Sequence, residues 1–341
     1  MKRKIVAIAV VAAVCAFCAV FAACGESGEE YSGGYMSCLK SDAKLGEIVM
    51  LGAHDAGTVG QNDMACTQHS DFAEMLDGGV RYFDCRVTDV DGELSFVHAN
   101  TNALFFLKSK KHMTLVEACD DIVAFVEKYP SEVIVLDFQH TWDATEDKVI
   151  AILEQKLGGI ALDKSLADVP AEVTLGQMRE WGKNVVIVYR TPEKCEQKDF
   201  LYEREEYLQS EYNSGIHSIS ENEYEEKYPL LIAEWDKYIA GKSEGKLFVL
   251  QSQITATGWL AEAEAKFRPI ANDWLAGLEK AENADKLAAI NIVMRDFVAD
   301  DDIGSERAPS EVFKIVVKLN TAKGLVDPDL QEMLFEGENI A

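Results

Sequence analysis

Three neighbouring segments decide the expected fold: EIVMLGAHDAGTVG at residues 47–60, GGVRYFDCRV at residues 78–87 and DGELSFVHAN at residues 91–100. Each segment is a short apolar run that ends in polar residues with reactive side chains. Barrel strands present catalytic groups at one rim in this way. The segments therefore predict barrel strands at residues 48–51, 80–83 and 94–97. The side chains that would meet at the rim are His54, Asp55, Asp84, Arg86 and His98.

This set of residue types suits the cleavage of a phosphodiester without a metal ion. Histidine can act as the base and as the acid because its ordinary pKa lies near neutrality. Arginine stays charged, and its planar fork matches two phosphate oxygens. The carboxylates would hold each imidazole in one tautomer and stabilise its charged form.

The motifs HDAG (residues 54–57), GVRYFDCRV (79–87), the run that ends in His98, and EVIVLDFQH (132–140) resemble the X domain of phosphatidylinositol-specific phospholipases C. Their order and spacing are most similar to those of the metal-independent bacterial enzymes and the small X-domain-only proteins of animals. The resemblance runs from about Lys44 to Arg190 and resumes from Asn291 to Val298. It implies an α/β fold, a distorted TIM (β/α) barrel of the phospholipase C-like phosphodiesterase type.

The resemblance also implies a role for each motif residue. His54 corresponds to the general base that deprotonates the inositol 2-hydroxyl, and Asp296 corresponds to the late-strand aspartate that pairs with it. His98 corresponds to the general acid for the diacylglycerol oxygen, and Asp55 to its carboxylate partner. Arg86 corresponds to the arginine that replaces calcium in the metal-free branch. A surface carboxylate after a strand remains the alternative interpretation of Asp296.

No cofactor and no catalytic metal are expected from this resemblance. The calcium-dependent branch would have Asn after the first histidine and an acidic residue in place of Arg86, and this sequence has neither. Asp84 matches the acidic residue that the family places two positions before the arginine. The family usually has Gly after the second histidine, whereas here Ala99 follows His98.

Asp84 and four more residues are expected to contact substrate near the pocket. Arg190 resembles an inositol-contacting arginine, with a salt-bridged strand end as the alternative, and Tyr189 would stack or hydrogen-bond beside it. Asp137 and His140 follow a buried strand and resemble the DF-polar-His pattern of the X-domain-only proteins. Residues 251–253 (Gln, Ser, Gln) stand where some relatives have an aspartate and a tyrosine, which leaves the exact headgroup open.

Residues 1–23 are predicted to be a secretory signal, because Lys2, Arg3 and Lys4 precede an apolar run. Small residues before Cys24 are typical of a bacterial lipoprotein cleavage site, and a short membrane anchor is the alternative. Cys24 would then carry the lipid, and residues 24–40 would include a flexible Gly/Ser/Glu-rich tether. The expected location is extracytoplasmic, either anchored to the membrane by lipid or secreted.

The formal net charge of −26 excludes nucleic acid as a partner, because a phosphate polyanion would be repelled. Membrane contact would come from the lipid or from a local apolar rim. Past Cys24, five cysteines without CxxC spacing argue against a zinc site. Among them, Cys85 is expected to be a buried thiol. The expected partner is phosphatidylinositol or a related inositol phospholipid, and the expected state is a monomer.

Alternating strand and helix patterns favour one barrel domain at residues 41–325, with a tail at 326–341. Helices are predicted at 72–76, 114–128, 147–157 and 311–319, and further strands at 132–138, 184–189, 246–250 and 290–294. An acidic insertion is expected around residues 199–245. It would form either a lid or exposed helix, and we favour exposed helix for residues 199–228. His69, His112 and His217 are expected to be solvated.

Two other functions stay open from sequence. A glycerophosphodiester phosphodiesterase also uses a barrel and paired histidines, but it would have HRG and a glutamate-rich metal cluster. A non-catalytic surface lipoprotein that binds inositol lipids or glycans is the second alternative. HDAG and Arg86 oppose the first alternative. Ala99 and residues 251–253 keep the second open, but the combination of His54, Asp55, Arg86, His98 and Asp296 favours catalysis over it.

Overall fold

A single parallel sheet curls into a nearly closed barrel. The structure, a computed structural model, describes residues 34–63, 65–98, 113–142, 145–220, 222–256, 260–299 and 310–330. Eight strands are joined in the order β6-β5-β4-β2-β1-β9-β8-β7, and every pairing along this path is parallel. The ninth strand, β3, pairs antiparallel with the far end of β2. The predicted distorted (β/α) barrel is therefore confirmed.

The strands are short, as is usual for barrel strands, except for β2, which continues past the rim to form the hairpin with β3. Their bounds are β1 Met50–Ala53, β2 Val80–Val90, β3 Glu93–Phe96, β4 Ile134–Thr141, β5 Val185–Tyr189, β6 Leu201–Glu203, β7 Leu208–Glu211, β8 Leu247–Gln251 and β9 Ile292–Arg295. Most barrel strands are buried on both faces, which explains why they read as continuous apolar runs.

Helices connect the strands and cover the outside of the barrel. Their bounds are α1 Phe72–Asp77, α2 Leu115–Lys128, α3 Glu146–Leu157, α4 Leu175–Trp181, α5 Pro192–Gln197, α6 Arg204–Tyr207, α7 Ser214–His217, α8 Tyr224–Ala240, α9 Leu260–Ala276, α10 Ala284–Ala289 and α11 Glu311–Ala322. Helices α1, α2 and α4 each begin with a reciprocal capping box, at Asp71, Thr114 and Thr174.

Two expectations about the elements were wrong. The run at 94–97 is not a barrel strand: β3 folds back on β2 as a hairpin, joined by a turn at Asp91 and Gly92, both with positive φ. Exposed helix does not fill residues 199–228, because β6 and β7 lie there and pair with the sheet. Both strands have only three or four residues, which is too short to show an apolar alternation.

A buried ion pair stabilises the end of the barrel opposite the rim. The Arg81 guanidinium contacts the Glu132 carboxylate at 2.8 Å, and both side chains are fully buried. The rings of Tyr35 and Phe125 lie 5.1 and 4.7 Å from the centre of the guanidinium. The N-terminal 3₁₀ turn Tyr35–Cys38 thereby closes this end.

Within the described ranges, no helix is both long enough and apolar enough to cross a bilayer. The five cysteines in these ranges, Cys38, Cys66, Cys85, Cys119 and Cys195, form no disulfide with one another, and Cys85 is buried as predicted.

Candidate active site

The loop after β1 brings the first histidine and aspartate to the rim. His54 follows the last residue of β1, and Asp55 adopts the left-handed conformation with φ 44°. Aspartate adopts this conformation more readily than most residues other than glycine. Gly57, with φ 82°, lets the loop pass over Phe96, since a Cβ there would lie 2.5 Å from the ring. The turn thus presents Asp55 to the centre of the rim.

Arg86 on β2 is held by two buried carboxylates. Its Nε lies 2.6 Å from Asp55 Oδ1, and its Nη2 lies 3.1 Å from Asp84 Oδ2. Asp84 also accepts a hydrogen bond from the backbone N–H of Asp55 at 3.2 Å. About a fifth of the Arg86 side chain remains exposed. The guanidinium is therefore fixed in orientation while part of it faces the mouth of the barrel.

His54 pairs with Asp296, which follows β9. The distance between His54 Nδ1 and Asp296 Oδ1 is 2.7 Å, and Asp296 is buried. A Nδ1–H that donates to this carboxylate leaves Nε2 as the free acceptor of the neutral ring. His54 Nε2 lies 3.3 Å from Arg86 Nη2 and thus at the edge of the guanidinium.

His98 pairs with the Asp55 carboxylate. Its Nδ1 lies 2.6 Å from Asp55 Oδ2, and 30% of its side chain is exposed. The two imidazole rings are 6.5 Å apart between centroids and nearly perpendicular, at 83°. Asp55 therefore joins His98 to Arg86, and both histidines face the same small volume above the guanidinium.

The charges of the cluster shift its pKa values in opposite directions. Burial lowers the pKa of His54, but the Asp55 and Asp296 carboxylates outweigh it and raise the pKa to about 9. Burial raises the pKa of Asp55, yet Arg86, His54 and His98 together hold it well below its ordinary value. Arg86 keeps its charge, since Asp55 and Asp84 raise its pKa against the effect of burial.

The oxygen and nitrogen atoms of His54, Asp55 and Asp84 lie close enough to offer ligands to a cation. The Arg86 guanidinium already contacts both of these carboxylates. A fixed positive charge therefore occupies the position in which a divalent cation would be held, and the donor set does not fit an additional metal ion.

His140 and Arg190 lie beside this cluster, at the mouth. In the sheet register His140 on β4 is the Cα partner of Arg86, and its ring stacks on Trp142 at 5.0 Å. Arg190 Nη1 lies 3.5 Å from His140 Nε2. Burial and the charges of Arg86 and Arg190 lower the pKa of His140. These two residues remain candidates for contacts with a headgroup.

Asp137 and Tyr189 do not lie where a ligand could touch them, which corrects the expectation for both. Asp137 is fully buried, and its carboxylate accepts bonds from Tyr82 at 2.7 Å and from Arg204 at 3.0 Å. Tyr189 is buried on the opposite face of the sheet, where its ring packs against Phe138. Asp84, which was also expected to contact substrate, is fully buried and holds Arg86 instead. We therefore no longer propose these three residues as substrate contacts.

His217 was expected to be solvated, and this is wrong. The residue is buried, and its Nδ1 lies 2.9 Å from the carbonyl oxygen of Gln253. Tyr212, just past β7, packs over its ring at 4.5 Å and remains 41% exposed at the mouth. Burial raises the pKa of Tyr212, its hydrogen bond to Thr255 lowers it, and the Asp296 charge raises it. Tyr212 was not among the predicted site residues because β7 was not predicted.

Of the other predicted residues, Cys24 and Ala99 lie outside the described ranges, as does His112. His69 is exposed, as expected.

Residues 40–189 match the family model described as PI-PLC X 1. The chain is 32% identical over 132 residues to PI-PLC X domain-containing protein 2 of Homo sapiens, an alignment that spans 37% of this chain and 39% of the human protein. It is 29% identical over 126 residues to 1-phosphatidylinositol phosphodiesterase of Staphylococcus aureus (strain Newman), over 36% of this chain and 38% of the bacterial protein. The chain thus matches about two fifths of the length of each relative.

The fold is similar to that of phosphatidylinositol-specific phospholipase C from Listeria monocytogenes. The two structures superpose with a TM-score of 0.60 at 18% identity, over 85% of this chain and 99% of the Listeria chain. A pentafluoro-Phe variant of the Staphylococcus aureus enzyme gives a TM-score of 0.58 at 19% identity. These similarities establish the barrel fold.

Proposed function

We propose that the protein is a phosphodiesterase that cleaves inositol phospholipid. Its residues 40–189 belong to the PI-PLC X-domain family. The products would be diacylglycerol and inositol 1,2-cyclic phosphate. The observation that carries the proposal is the arrangement of two histidines, each with its own carboxylate, around one guanidinium. Such a set supplies a base, an acid and a fixed cation within one small volume.

His54 is the base in this mechanism. Asp296 fixes its Nδ1–H, so Nε2 takes the proton of the inositol 2-hydroxyl as that oxygen attacks phosphorus. Only the neutral ring can accept a proton. With a pKa of about 9, roughly 1% of the free protein at pH 7 holds His54 in this form. One limb of the pH profile of kcat/KM is therefore expected near pH 9.

Arg86 is the fixed cation in this mechanism and binds the phosphate. Its guanidinium is oriented by Asp55 and Asp84 before any substrate arrives, so no reorganisation is needed as charge grows on the phosphate oxygens. Lysine would supply a point charge without the planar fork.

His98 is the general acid in this mechanism. Its Nδ1 is held by Asp55, which leaves the opposite nitrogen to donate a proton to the departing diacylglycerol oxygen. The bond from the 2-oxygen to phosphorus forms while the bond from phosphorus to the diacylglycerol oxygen breaks. One proton moves to His54 and one leaves His98, so the net charge of the pair is unchanged. Attack is favoured because the nucleophile is tethered next to phosphorus.

The test is turnover of phosphatidylinositol by the full-length protein and by His54→Ala and His98→Ala. Each variant is expected to lose about 10²- to 10⁴-fold in kcat/KM. Thermal unfolding of each variant shows whether the barrel is intact. Turnover within threefold of wild type in either folded variant contradicts the proposal.

We also propose that the protein acts at a membrane surface outside the cytoplasm, held by a lipid on Cys24, as one barrel domain at residues 41–325 and as a monomer. The sequence before Cys24 supports the anchor. Metabolic labelling with a radioactive fatty acid should mark the wild-type protein and not Cys24→Ser. Equal labelling of both would exclude this anchor.

A further inference from the structure

One buried amide connects the two loops that carry His54 and Asp296. Gln68, in the segment between the HDAG motif and α1, is 1% exposed. Its Nε2 donates hydrogen bonds to the carbonyl oxygens of His54 and Arg295, each at 2.9 Å. Its Oε1 accepts a hydrogen bond from the backbone N–H of Val298 at 3.1 Å. Both polar atoms of this amide therefore bind backbone groups of the two loops.

The orientation of the Gln68 amide is the one that its partners require. A flipped amide would place its oxygen against the two carbonyl oxygens and its hydrogens against the Val298 N–H. The hydrogen bonds lie on both sides of Asp296, because Arg295 precedes it and Val298 follows two residues later. The Arg295 carbonyl also accepts a hydrogen bond from the backbone N–H of His54 at 3.0 Å. The amide thus holds the backbone of the proposed base and the backbone around its carboxylate partner.

The turn after Asp296 is supported by the same segment. Phe297 has a positive φ of 49°, a conformation that bulky side chains rarely adopt. Its backbone N–H donates to the carbonyl oxygen of Thr67 at 2.8 Å, and its ring centroid lies 4.5 Å from that of His69. Such a backbone persists only where its surroundings hold it in place. The neighbours of Gln68 therefore help to fix the turn that follows Asp296.

The contact between His54 and Asp296 joins two loops that come from different strands. Asp296 Oδ1 lies 2.7 Å from His54 Nδ1, and this bond selects the tautomer that leaves Nε2 free. A charge-assisted hydrogen bond of this kind is short and depends on its geometry. In an active site, a displacement of about 1 Å can cost about 10²-fold in rate. A side chain that holds both loops by their backbones therefore acts on the base.

We propose that Gln68 is a positioning residue that holds the Asp296 carboxylate against the His54 imidazole. Its importance for turnover rests on the proposed role of His54 as the base. Gln68 acts through the backbone groups that it binds. Without its amide, the pair loosens and the imidazolium of His54 loses part of its stabilisation. Some of the neutral rings then carry the proton on Nε2, where it blocks the acceptor.

The test is Gln68→Met, whose side chain has a similar length but forms none of the three hydrogen bonds. An NMR titration of the full-length protein with labelled histidine gives the pKa and the tautomer of His54, with the resonance assigned by its loss in His54→Asn. The His54 pKa is expected to fall by about 0.5–1 unit, because part of the contribution of Asp296 is lost. The substitution leaves unchanged the other charged groups that face His54 in the described ranges, which are Asp55, Asp84 and Arg86.

Steady-state cleavage of phosphatidylinositol supplies a second measurement. Gln68→Met should lower kcat rather than raise KM, because Gln68 affects the base and not the binding of the headgroup. We expect kcat to fall by about 10- to 100-fold. The limb of the kcat/KM profile near pH 9 should move to lower pH with the His54 pKa.

Asn291→Leu is the matched control. Asn291 is also a fully buried amide with three backbone hydrogen bonds, but it precedes β9 and so lies at the opposite end of the barrel. Its Nδ2 donates to two carbonyl oxygens at 2.9 and 2.6 Å, and its Oδ1 accepts from one N–H at 3.1 Å. Both substitutions should lower the midpoint of thermal unfolding. Only Gln68→Met should change the His54 pKa and kcat.

A His54 pKa within about 0.2 unit of wild type in folded Gln68→Met overturns the proposal, and so does an equal shift in Asn291→Leu. If Gln68→Met does not fold, Gln68→Asn takes its place under the same limits, because its amide is one methylene shorter and cannot reach all three partners. The titration needs no substrate, so it separates the two claims. A shifted His54 pKa in a protein whose wild type shows no turnover refutes the proposed function alone. Wild-type turnover with an unshifted His54 pKa in the variant refutes the role of Gln68 alone.

Discussion

Replacement of Asp296 by Asn tests how the structure sets the base. The carboxylate is buried and lies 2.7 Å from His54 Nδ1, and its charge and hydrogen bond both raise the pKa of His54. A hydrogen bond that involves charged groups contributes about 1.5–3 kcal/mol, and 1.36 kcal/mol corresponds to roughly one pKa unit. The His54 pKa is therefore expected to fall by about 1–2 units, to about 7–8.

The same substitution should slow the reaction although it makes His54 easier to deprotonate. An Asn amide can donate to Nδ1, which would select the tautomer with its proton on Nε2 and so remove the acceptor that faces the substrate. The expected loss in kcat/KM is about 10²- to 10⁴-fold.

The assays are the NMR titration of His54 and the steady-state cleavage of phosphatidylinositol in micelles across pH 6–10. Asp273→Asn, an exposed aspartate on α9, is the matched control and should match wild type in both. A His54 pKa that stays near 9 in folded Asp296→Asn, or activity within threefold of wild type, would refute the assignment of Asp296 as the partner of the base.

Three other substitutions test separate parts of the account. Arg86→Lys should lower kcat/KM by about 10²–10³-fold, because one point charge replaces a fork held by two carboxylates; full activity in steady-state assays would show that the fork is not needed. Glu132→Gln removes the carboxylate charge that contacts the buried Arg81 guanidinium and should destabilise the fold by about 3–5 kcal/mol in urea unfolding; a loss below about 1 kcal/mol would contradict the importance of this pair. Gly57→Ala forces a positive φ on alanine and drives its Cβ into Phe96, so thermal unfolding should show a loss of about 1–3 kcal/mol; wild-type stability would mean that the loop relaxes freely.

The barrel and the residues that meet at its rim could be predicted because each strand is a buried apolar run followed by reactive side chains. His54, Asp55, Arg86 and Asp296 lie just past or within such strands. The resemblance of the motifs to the X domain of phosphatidylinositol-specific phospholipases C then implied which histidine pairs with which carboxylate. The structure places His54 beside Asp296 and His98 beside Asp55 at the distances that these pairs require.

The sequence did not reveal features that depend on tertiary contacts. Strands β6 and β7 have only three and four residues, so their pairing with the sheet could not be predicted from periodicity. Tyr212 near the site was therefore missed, and His217 was expected to be solvated although it is buried. Asp137 looks like a rim residue in the sequence, but Arg204 from the unpredicted α6 covers it.

The most direct test of the central claim is phosphorus NMR of the full-length protein mixed with phosphatidylinositol micelles in excess EDTA. The account predicts a new resonance of inositol 1,2-cyclic phosphate, since Arg86 supplies the positive charge at the phosphate. Turnover that appears only after calcium is added would contradict the role of Arg86. A spectrum that stays unchanged with or without calcium would contradict the proposed reaction itself.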